Sequence, residues 1–466
     1  MSAARQSAAI LAVDAFTLLV CGILACSIKI AENPELAIDA YAGAVGFILA
    51  GCLSTYAAQG LYPGIGIPPG EELRRLTLGT TLAILGAMAF TFLTKSGDAW
   101  SRQIIGTAWA LALVAVPIAR SMGRHVLSRH AWWGAPCLIV GAGATGRRAA
   151  AYMMERPWLG LRPAAFLDDD SRLVGTSIQG IPVLGPITAS IQDAVRTARA
   201  GHALIALPGT GPATKSTILD RLADHVRHVV IAPAMPGMPG IAAETREFAG
   251  HLVLEVSQNL LRPSVRVAKR AIDVVVVTGF IMMFWWVLVA IALLIRCSSS
   301  GAALYGQTRI GREGKAFTAW KFRSMVSDAD ARLAAILDAD PALRDEWDRH
   351  RKLRHDPRIT WIGAFLRRTS LDELPQLWNV LRGEMSLVGP RPIVHDEIPR
   401  YGEHFALFCK VRPGLSGLWQ VSGRSDTGYE ERVALDCYYV RSWSIWLDLV
   451  IIARTFRVVL LGRGAY

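Results

Sequence analysis

The stretch from Thr369 to Pro392, TSLDELPQLWNVLRGEMSLVGPRP, places two adjacent carboxylates, Asp372 and Glu373, at the start of a short amphipathic segment. The segment ends at Gly383, and a rigid Gly-Pro-Arg-Pro turn then presents Arg391. Pro375 lacks an amide hydrogen, so it belongs in a first helical turn, with Asp372 or Ser370 as the N-cap. That placement keeps the carboxylate pair near the positive end of the helix. Ser370 and Glu373 also have the spacing of a capping box, a purely structural alternative. A capping box needs neither Asp372 nor the arginines around it.

Those arginines recur beside glycine and proline. Phe317 to Met325, FTAWKFRSM, is predicted as a strand with Lys321 and Arg323 on one face, because positions i and i+2 share a side. Arg367 and Arg368 precede the acidic pair, Arg391 follows it, and Arg412 and Arg424 lie in later turns. Arginine's planar fork holds phosphate through two parallel hydrogen bonds. Lys321, Arg323, Arg367, Arg391 and Arg424 are therefore the candidate phosphate-binding residues.

Adjacent carboxylates on a helix point about 100° apart, so they cannot clamp a substrate symmetrically between an acid and a base. They can share one hard cation, and Mg²⁺ suits them because it takes one or two carboxylates plus phosphate oxygens. Asp372 and Glu373 are thus both the candidate catalytic residues and the candidate metal ligands. An aspartate at a helix N-terminus ringed by arginine is expected to stay ionised and to attack phosphorus. Phosphoryl transfer through a covalent carboxyl-phosphate is the chemistry these parts permit.

The elements that must carry this site are unusual for a soluble protein. The 466 residues are 52% hydrophobic and only 19% charged, yet the net charge is +12. Apolar and basic together suggest a bacterial-type inner-membrane protein with cytoplasmic parts near anionic lipid, or one that binds anionic substrates. Nucleic acid is not the expected partner, since Lys/Arg runs with interleaved aromatics are absent. Seven scattered cysteines without a CxxC support neither a disulfide framework nor a zinc site. Arg5 and the apolar run after it read as a first membrane helix rather than a cleaved signal, because Asp14 interrupts the run.

Apolar segments at 7–29, 38–58, 76–94 and 103–119 each approach the ~20 residues that cross a bilayer. Arg5, Arg74, Arg75, Arg120, Arg124 and Arg129 gather on one side, which the positive-inside rule makes cytoplasmic. A transmembrane four-helix bundle over 1–125 is the expectation. After a basic, aromatic linker, Cys137 to Val140 reads as a buried parallel strand, followed by Gly141-Ala-Gly143-Ala-Thr-Gly146 and a helix to about Met154. Further strands are predicted at 164–167, 203–207 and 229–231, making a Rossmann-like α/β domain over 132–260. Gly141, Gly143 and Gly146 are candidate nucleotide-binding residues. Asp168 to Asp170 could bind a ribose or a metal, but an acidic turn after the second strand is preferred. No tyrosine has a lysine four residues on, which argues against a short-chain dehydrogenase or sugar-nucleotide dehydratase. A nucleotide-binding or regulatory role is expected of this domain.

Residues 274–295 form another apolar run, basic on both flanks. A helix that enters the membrane and returns on the same side is favoured, with Gly279 as the weak point for a bend, because no proline lies between Pro263 and Pro341. The catalytic domain is placed at 262–466.

Several motifs then stand together: Lys269-Arg270 with Asp273, Arg309-Ile-Gly311-Arg312-Glu-Gly314, Lys321 to Met325, Ser370 to Gln376, Asn379-Val-Leu, Gly383 to Pro392, and Pro413 to Gln420. Residues 262–466 resemble the polyprenyl-phosphate hexose-1-phosphate transferases, the monotopic phosphoglycosyl transferases of bacterial sugar transfer. The four N-terminal helices and the Rossmann-like domain resemble the long form of that family, typified by undecaprenyl-phosphate galactose phosphotransferase.

The resemblance implies that Asp372 attacks the β-phosphate of a UDP-hexose, releases UMP and holds the sugar phosphate covalently. Undecaprenyl phosphate then takes up the hexose phosphate. It also implies that Glu373 helps to bind Mg²⁺, and that Lys321, Arg367, Arg391 and Arg424 are phosphate or carboxylate partners. The family's hairpin carries a Ser-Pro kink near its middle, where this chain has Phe284-Trp-Trp286. The expected product initiates a cell-surface or secreted polysaccharide, with galactose slightly ahead of glucose as the hexose. Apolar bundles and α/β domains of this kind often pair, so a homodimer is compatible with the chain. The rival readings are a membrane scaffold that senses nucleotide and a sugar-nucleotide oxidoreductase.

Overall fold

The computed structural model describes residues 2–32, 39–93, 101–226, 228–231, 243–248, 251–256, 260, 263–326, 328–339, 344, 356–422 and 428–461. It divides into two compact units, Met1–Pro236 and Gly237–Tyr466.

The first unit opens with helices α1 (Ser2–Glu32), α2 (Asp39–Ala58), α3 (Pro69–Leu93) and α4 (Arg102–Leu127). By length and hydropathy α1, α3 and α4 can cross a membrane, whereas the described apolar part of α2, Gly43–Ala58, is shorter. Large apolar side chains also cover the outer faces, with Phe92 84% exposed. That surface suits lipid rather than water. Leu18, Cys52, Tyr56, Leu76 and Val116 form the bundle core. Asp14, which interrupts the first apolar run, is fully buried. It accepts hydrogen bonds from Arg120 and from the Tyr62 hydroxyl (2.8 Å). Glu72 pairs with both Arg120 (2.7 Å) and Arg124 (2.9 Å). Charge inside an apolar bundle is thus paired rather than bare.

The α/β part runs β1 (Ala135–Val140), α5 (Ala144–Glu155), β2 (Leu161–Leu167), a short β3–β4 hairpin (Ser177–Ile178 and Ile181–Pro182), α6 (Ile187–Ala198), β5 (His202–Ile205), α7 (Pro212–Ala223) and β6 (His228–Ile231). The main sheet is parallel in the order β2-β1-β5-β6, as a Rossmann-like fold requires. Each strand falls where the apolar runs placed it. Leu138, Val140, Ala203 and Ile205 pack one sheet face against α6 and α7.

The second unit contains a hairpin of β7 (Ala243–Phe248) and β8 (His251–Val256) and then α8 (Pro263–Ser298). Helix α8 is longer than the predicted 274–295, and its break is at Phe284 (φ −119°, ψ 15°), not at Gly279. Packing gives the physical reason. Val277, Phe280 and Ile281 pack on Leu377, Val380 and Met385. Ile291 and Ile295 pack on Phe322, Ile362 and Leu366. The two halves follow different parts of one domain, and the helix bends between them.

The antiparallel pair β9 (Leu304–Ile310) and β10 (Ala316–Phe322) follows, then α9 (Ala329–Ala339), α10 (Trp361–Arg368), α11 (Gln376–Arg382) and β11 (Ser386–Val388). Strand β12 (Gly414–Ser416) runs parallel to β11, and α12 (Tyr429–Arg441) and α13 (Ile445–Leu461) complete the unit. The start of α8 is pinned to this core. Lys269 donates to Asp448 (2.6 Å), Asp273 accepts from the Ser386 hydroxyl (2.7 Å), and Arg270 donates to the carbonyls of Val380 and Leu381.

Candidate active site

Leu371, Asp372 and Glu373 form one 3-10 turn between α10 and α11. Neither Asp372 nor Ser370 caps α11, because Pro375 stands at its N-cap position and carries no side-chain cap bond. Nor does a capping box form. Ser370 has a left-handed backbone (φ 56°), and its carbonyl rather than its hydroxyl accepts from the Glu373 amide (3.3 Å). The chain reverses at Ser370 to leave α10, which turns the predicted N-cap residue into a hinge. A non-glycine residue held there costs on the order of 1–3 kcal/mol, a strain that clusters at functional sites.

Strand β10 brings Lys321 to the pair, and its Nζ donates to Glu373 Oε1 at 2.6 Å. Asn379, fully buried, sets that distance. Its Nδ2 donates to the Thr318 carbonyl (2.7 Å) and to Glu384 Oε2 (2.6 Å), and its Oδ1 accepts from the Trp320 amide (3.1 Å). One amide side chain thereby locks α11 to β10. From α10, Arg367 is held by the Ser324 hydroxyl (2.8 Å), and its charge acts on Asp372.

Burial and then the neighbouring Glu373 push the Asp372 carboxyl up to about 6, against the pull of Lys321 and Arg367. The expectation that arginine and a helix end would hold it low is corrected. Desolvation wins because the turn is partly enclosed and no α-helix begins at the pair. A carboxylate held near the working pH and short of solvent is a strong nucleophile once ionised.

Among the described residues no group of three or more His, Cys, Asp or Glu gathers as metal ligands. Two adjacent carboxylates are the donor set a hard cation takes when phosphate and water complete its shell.

Residues 264–462 match the bacterial sugar transferase family, and residues 57–233 match a CoA-binding domain family. The chain is 39% identical over 373 residues to a UDP-galactose-lipid carrier transferase of Erwinia amylovora, covering 78% of this chain and 76% of that protein. It is 36% identical over 395 residues to the undecaprenyl-phosphate galactose phosphotransferase of Salmonella typhimurium, covering 83% and 81%. It is 31% identical over 423 residues to the UDP-glucose:undecaprenyl-phosphate glucose-1-phosphate transferase of Escherichia coli, covering 86% and 84%. The chain belongs to the bacterial sugar transferase family.

Within this sugar transferase the Gly-Pro-Arg-Pro turn is clamped from below. The Gly389 amide donates to the Ser416 carbonyl (2.9 Å), and the Gly414 amide donates to the Pro390 carbonyl (2.8 Å). A Cβ at Gly414 would lie 2.1 Å from the Gly389 nitrogen, so neither glycine can carry a side chain. Arg391 leaves this turn toward the Trp419 ring (5.8 Å) and sits near Arg309, whose own pKa is lowered by burial and by Arg391. Glu373 also acts on Arg309, so the basic cluster adjoins the acidic pair.

Arg323 does not join the site. Its guanidinium donates to the Ser299 carbonyl and hydroxyl (2.9 Å each), tying β10 to the end of α8. Arg424 lies outside the described residues. The structure also places Asn379, Ser324 and Arg309 around the pair, Asn379 bonded to β10, Ser324 to Arg367, and Arg309 within reach of the charge on Glu373. The signal for Asn379 was a polar residue on the same helical stripe as Gln376 and Val380, the face that turns inward.

In the α/β part Gly141 takes φ +104°, and a Cβ at Gly146 would lie 1.9 Å from the Gly141 oxygen, so strand and helix meet there through glycine alone. Asp168 accepts from the amides of Ala142 (2.7 Å) and Asp170 (2.9 Å), and Asp169 accepts from that of Ile187 (2.8 Å). The acidic run is therefore a turn that braces the glycine loop, as preferred from sequence.

Proposed function

We propose that the protein transfers hexose-1-phosphate, with galactose or glucose as the sugar, from a UDP-hexose to undecaprenyl phosphate, and so initiates a surface polysaccharide. The observation that carries this reading is Asp372, desolvated beside Glu373 and between the charges of Lys321 and Arg367. In the first step an Asp372 carboxylate oxygen bonds to the β-phosphorus, and the bond from that phosphorus to the bridging oxygen breaks. UMP leaves with both bonding electrons and an aspartyl-phosphohexose remains. In the second step an oxygen of undecaprenyl phosphate attacks the same phosphorus, and Asp372 departs as carboxylate.

Lys321 neutralises Glu373 and orients it, while Arg367 and Arg391 offer donors to phosphate oxygens. Asp372 and Glu373 would hold a Mg²⁺ ion, which when bound supplies positive charge to those oxygens. The kinked α8 supports a helix that enters the bilayer and returns. Lys269 at one end and Ser299 at the other are both bonded to the same domain, which a straight membrane-spanning helix does not permit. Arginine-rich loops favour the bacterial inner membrane, with the soluble domains on the cytoplasmic face.

The test is UMP release by the purified full-length protein with undecaprenyl phosphate and a panel of UDP-sugars. UMP release with UDP-galactose or UDP-glucose, matched by lipid-linked hexose, is expected. No release with any UDP-sugar contradicts the reading.

A further inference from the structure

Arg432, in the first turn of α12, is buried but its hydrogen bonding is incomplete. Its Nη1 donates to Glu397 Oε1 (2.8 Å), while Nε and Nη2 have no hydrogen-bond partner among the described residues. The guanidinium lies over the rings of Trp419 and Tyr429, each 5.0 Å from its centroid. Stacking covers the faces of a guanidinium and leaves its N–H edges to be satisfied separately. The Tyr429 hydroxyl is likewise buried with no partner among the described residues.

Such orphaned donors are costly unless something binds to them. Three further observations indicate what that is. Arg391 approaches the same Trp419 ring and Arg400 approaches Tyr429 (5.2 Å), so aromatic faces hold several guanidiniums close despite their repulsion. The carboxylates facing Arg432 are Glu397, already paired with it, and Asp436, which accepts from the Tyr401 hydroxyl (2.7 Å). The first turn of α12 adds the positive end of a 13-residue helix whose N-cap, Gly428, has no side-chain cap bond, and the two carboxylates of that turn, Glu430 and Glu431, are exposed to solvent. Cations held together around unused donors fit a multiply charged oxyanion.

The geometry points to a second phosphate subsite, in which Arg432 Nε and Nη2 and the Tyr429 hydroxyl, with Arg391, bind a phosphate monoester beside the acidic pair. This rests on the transfer reading above, in which two phosphate monoesters visit the site: the departing nucleotide and the incoming lipid phosphate. Arg309, influenced by Glu373, Arg391 and Arg432 alike, links the subsite to the reacting centre.

The full-length protein in nanodiscs provides the test. Dissociation constants for UMP and KM for undecaprenyl phosphate would be measured for the wild type, Arg432→Lys, Tyr429→Phe and Glu397→Gln. Arg432→Lys keeps the charge and loses the fork, so it should weaken the resident ligand ~10-fold or more, with Tyr429→Phe losing less. Weakening of UMP identifies the leaving nucleotide as the occupant, and weakening of undecaprenyl phosphate identifies the acceptor. Glu397→Gln removes the ion pair but keeps an amide oxygen to accept from Nη1 and leaves the two donors in place, and should change either constant about twofold at most. Both constants within twofold of wild type in Arg432→Lys and Tyr429→Phe overturn the subsite while wild-type UMP release continues. A loss reproduced by Glu397→Gln overturns it too, since the ion pair would then be responsible. A wild type that binds neither ligand and releases no UMP overturns the subsite and the transfer reading together.

Discussion

At the scale of residues the decisive property is the cost of keeping Asp372 charged. Its carboxyl is raised to about 6 by burial and by Glu373, so the ionised form that the proposed mechanism requires predominates only above that pH. The acidic limb of kcat/KM for the UDP-sugar should therefore fall near pH 6. Lys321 pulls the value down, so Lys321→Met should move that limb to higher pH as well as lower the rate. A limb that stays in place would mean that Lys321 does not act on Asp372. The same shift bears on stability. A carboxyl with a folded pKa above its unfolded value holds its proton longer in the folded state, so stability declines as pH rises from about 4 through about 6. Asp372→Asn should abolish transfer while raising stability at pH 8 by about 1–3 kcal/mol, read as a higher Tm. The carboxylate pair was legible in the sequence because two acidic residues beside Pro375 and an arginine turn are a local pattern. The sign of the Asp372 shift was not, since it depends on how much solvent the folded turn excludes.

At the scale of elements, α11 and β10 set the distance from Lys321 to Glu373, and Asn379 joins them through two hydrogen bonds, with a third to Glu384. Asn379→Leu should destabilise the protein by ~1–3 kcal/mol, because buried backbone groups lose their partners. It should also lower kcat more than it raises KM, and a variant with unchanged kcat would show that the lock does not position the pair. Helix α8 was legible as an apolar run with basic ends, but the site of its bend was not. Bends without proline are set by packing, here the divergence of Val277 and Ile295 toward different helices, which no local composition reveals. In a Cys297→Ser background, cysteines introduced at Val267 and Ser300 should both react with an impermeant thiol reagent from the cytoplasmic side. Reaction from opposite sides would make α8 a spanning helix.

At the scale of the molecule, alternation of apolar runs and glycine turns exposed the four-stranded Rossmann-like sheet, and long apolar helices exposed the bundle. Joints such as Asp14 with Arg120 were hidden, since their partners lie 106 residues apart. The residues to which the chemistry is assigned all fall within the unit that begins at Gly237. A chain starting there should retain hexose-phosphate transfer in detergent, and a folded but inactive fragment would give the first unit a direct part in the reaction. The central claim is the covalent step. Intact-mass and peptide analysis of the full-length protein, quenched in acid after exposure to UDP-galactose or UDP-glucose without acceptor, tests it most directly. The account predicts one added hexose phosphate on Asp372, in step with UMP released and lost on adding undecaprenyl phosphate. UMP release with no adduct, or an adduct on Glu373, would contradict it.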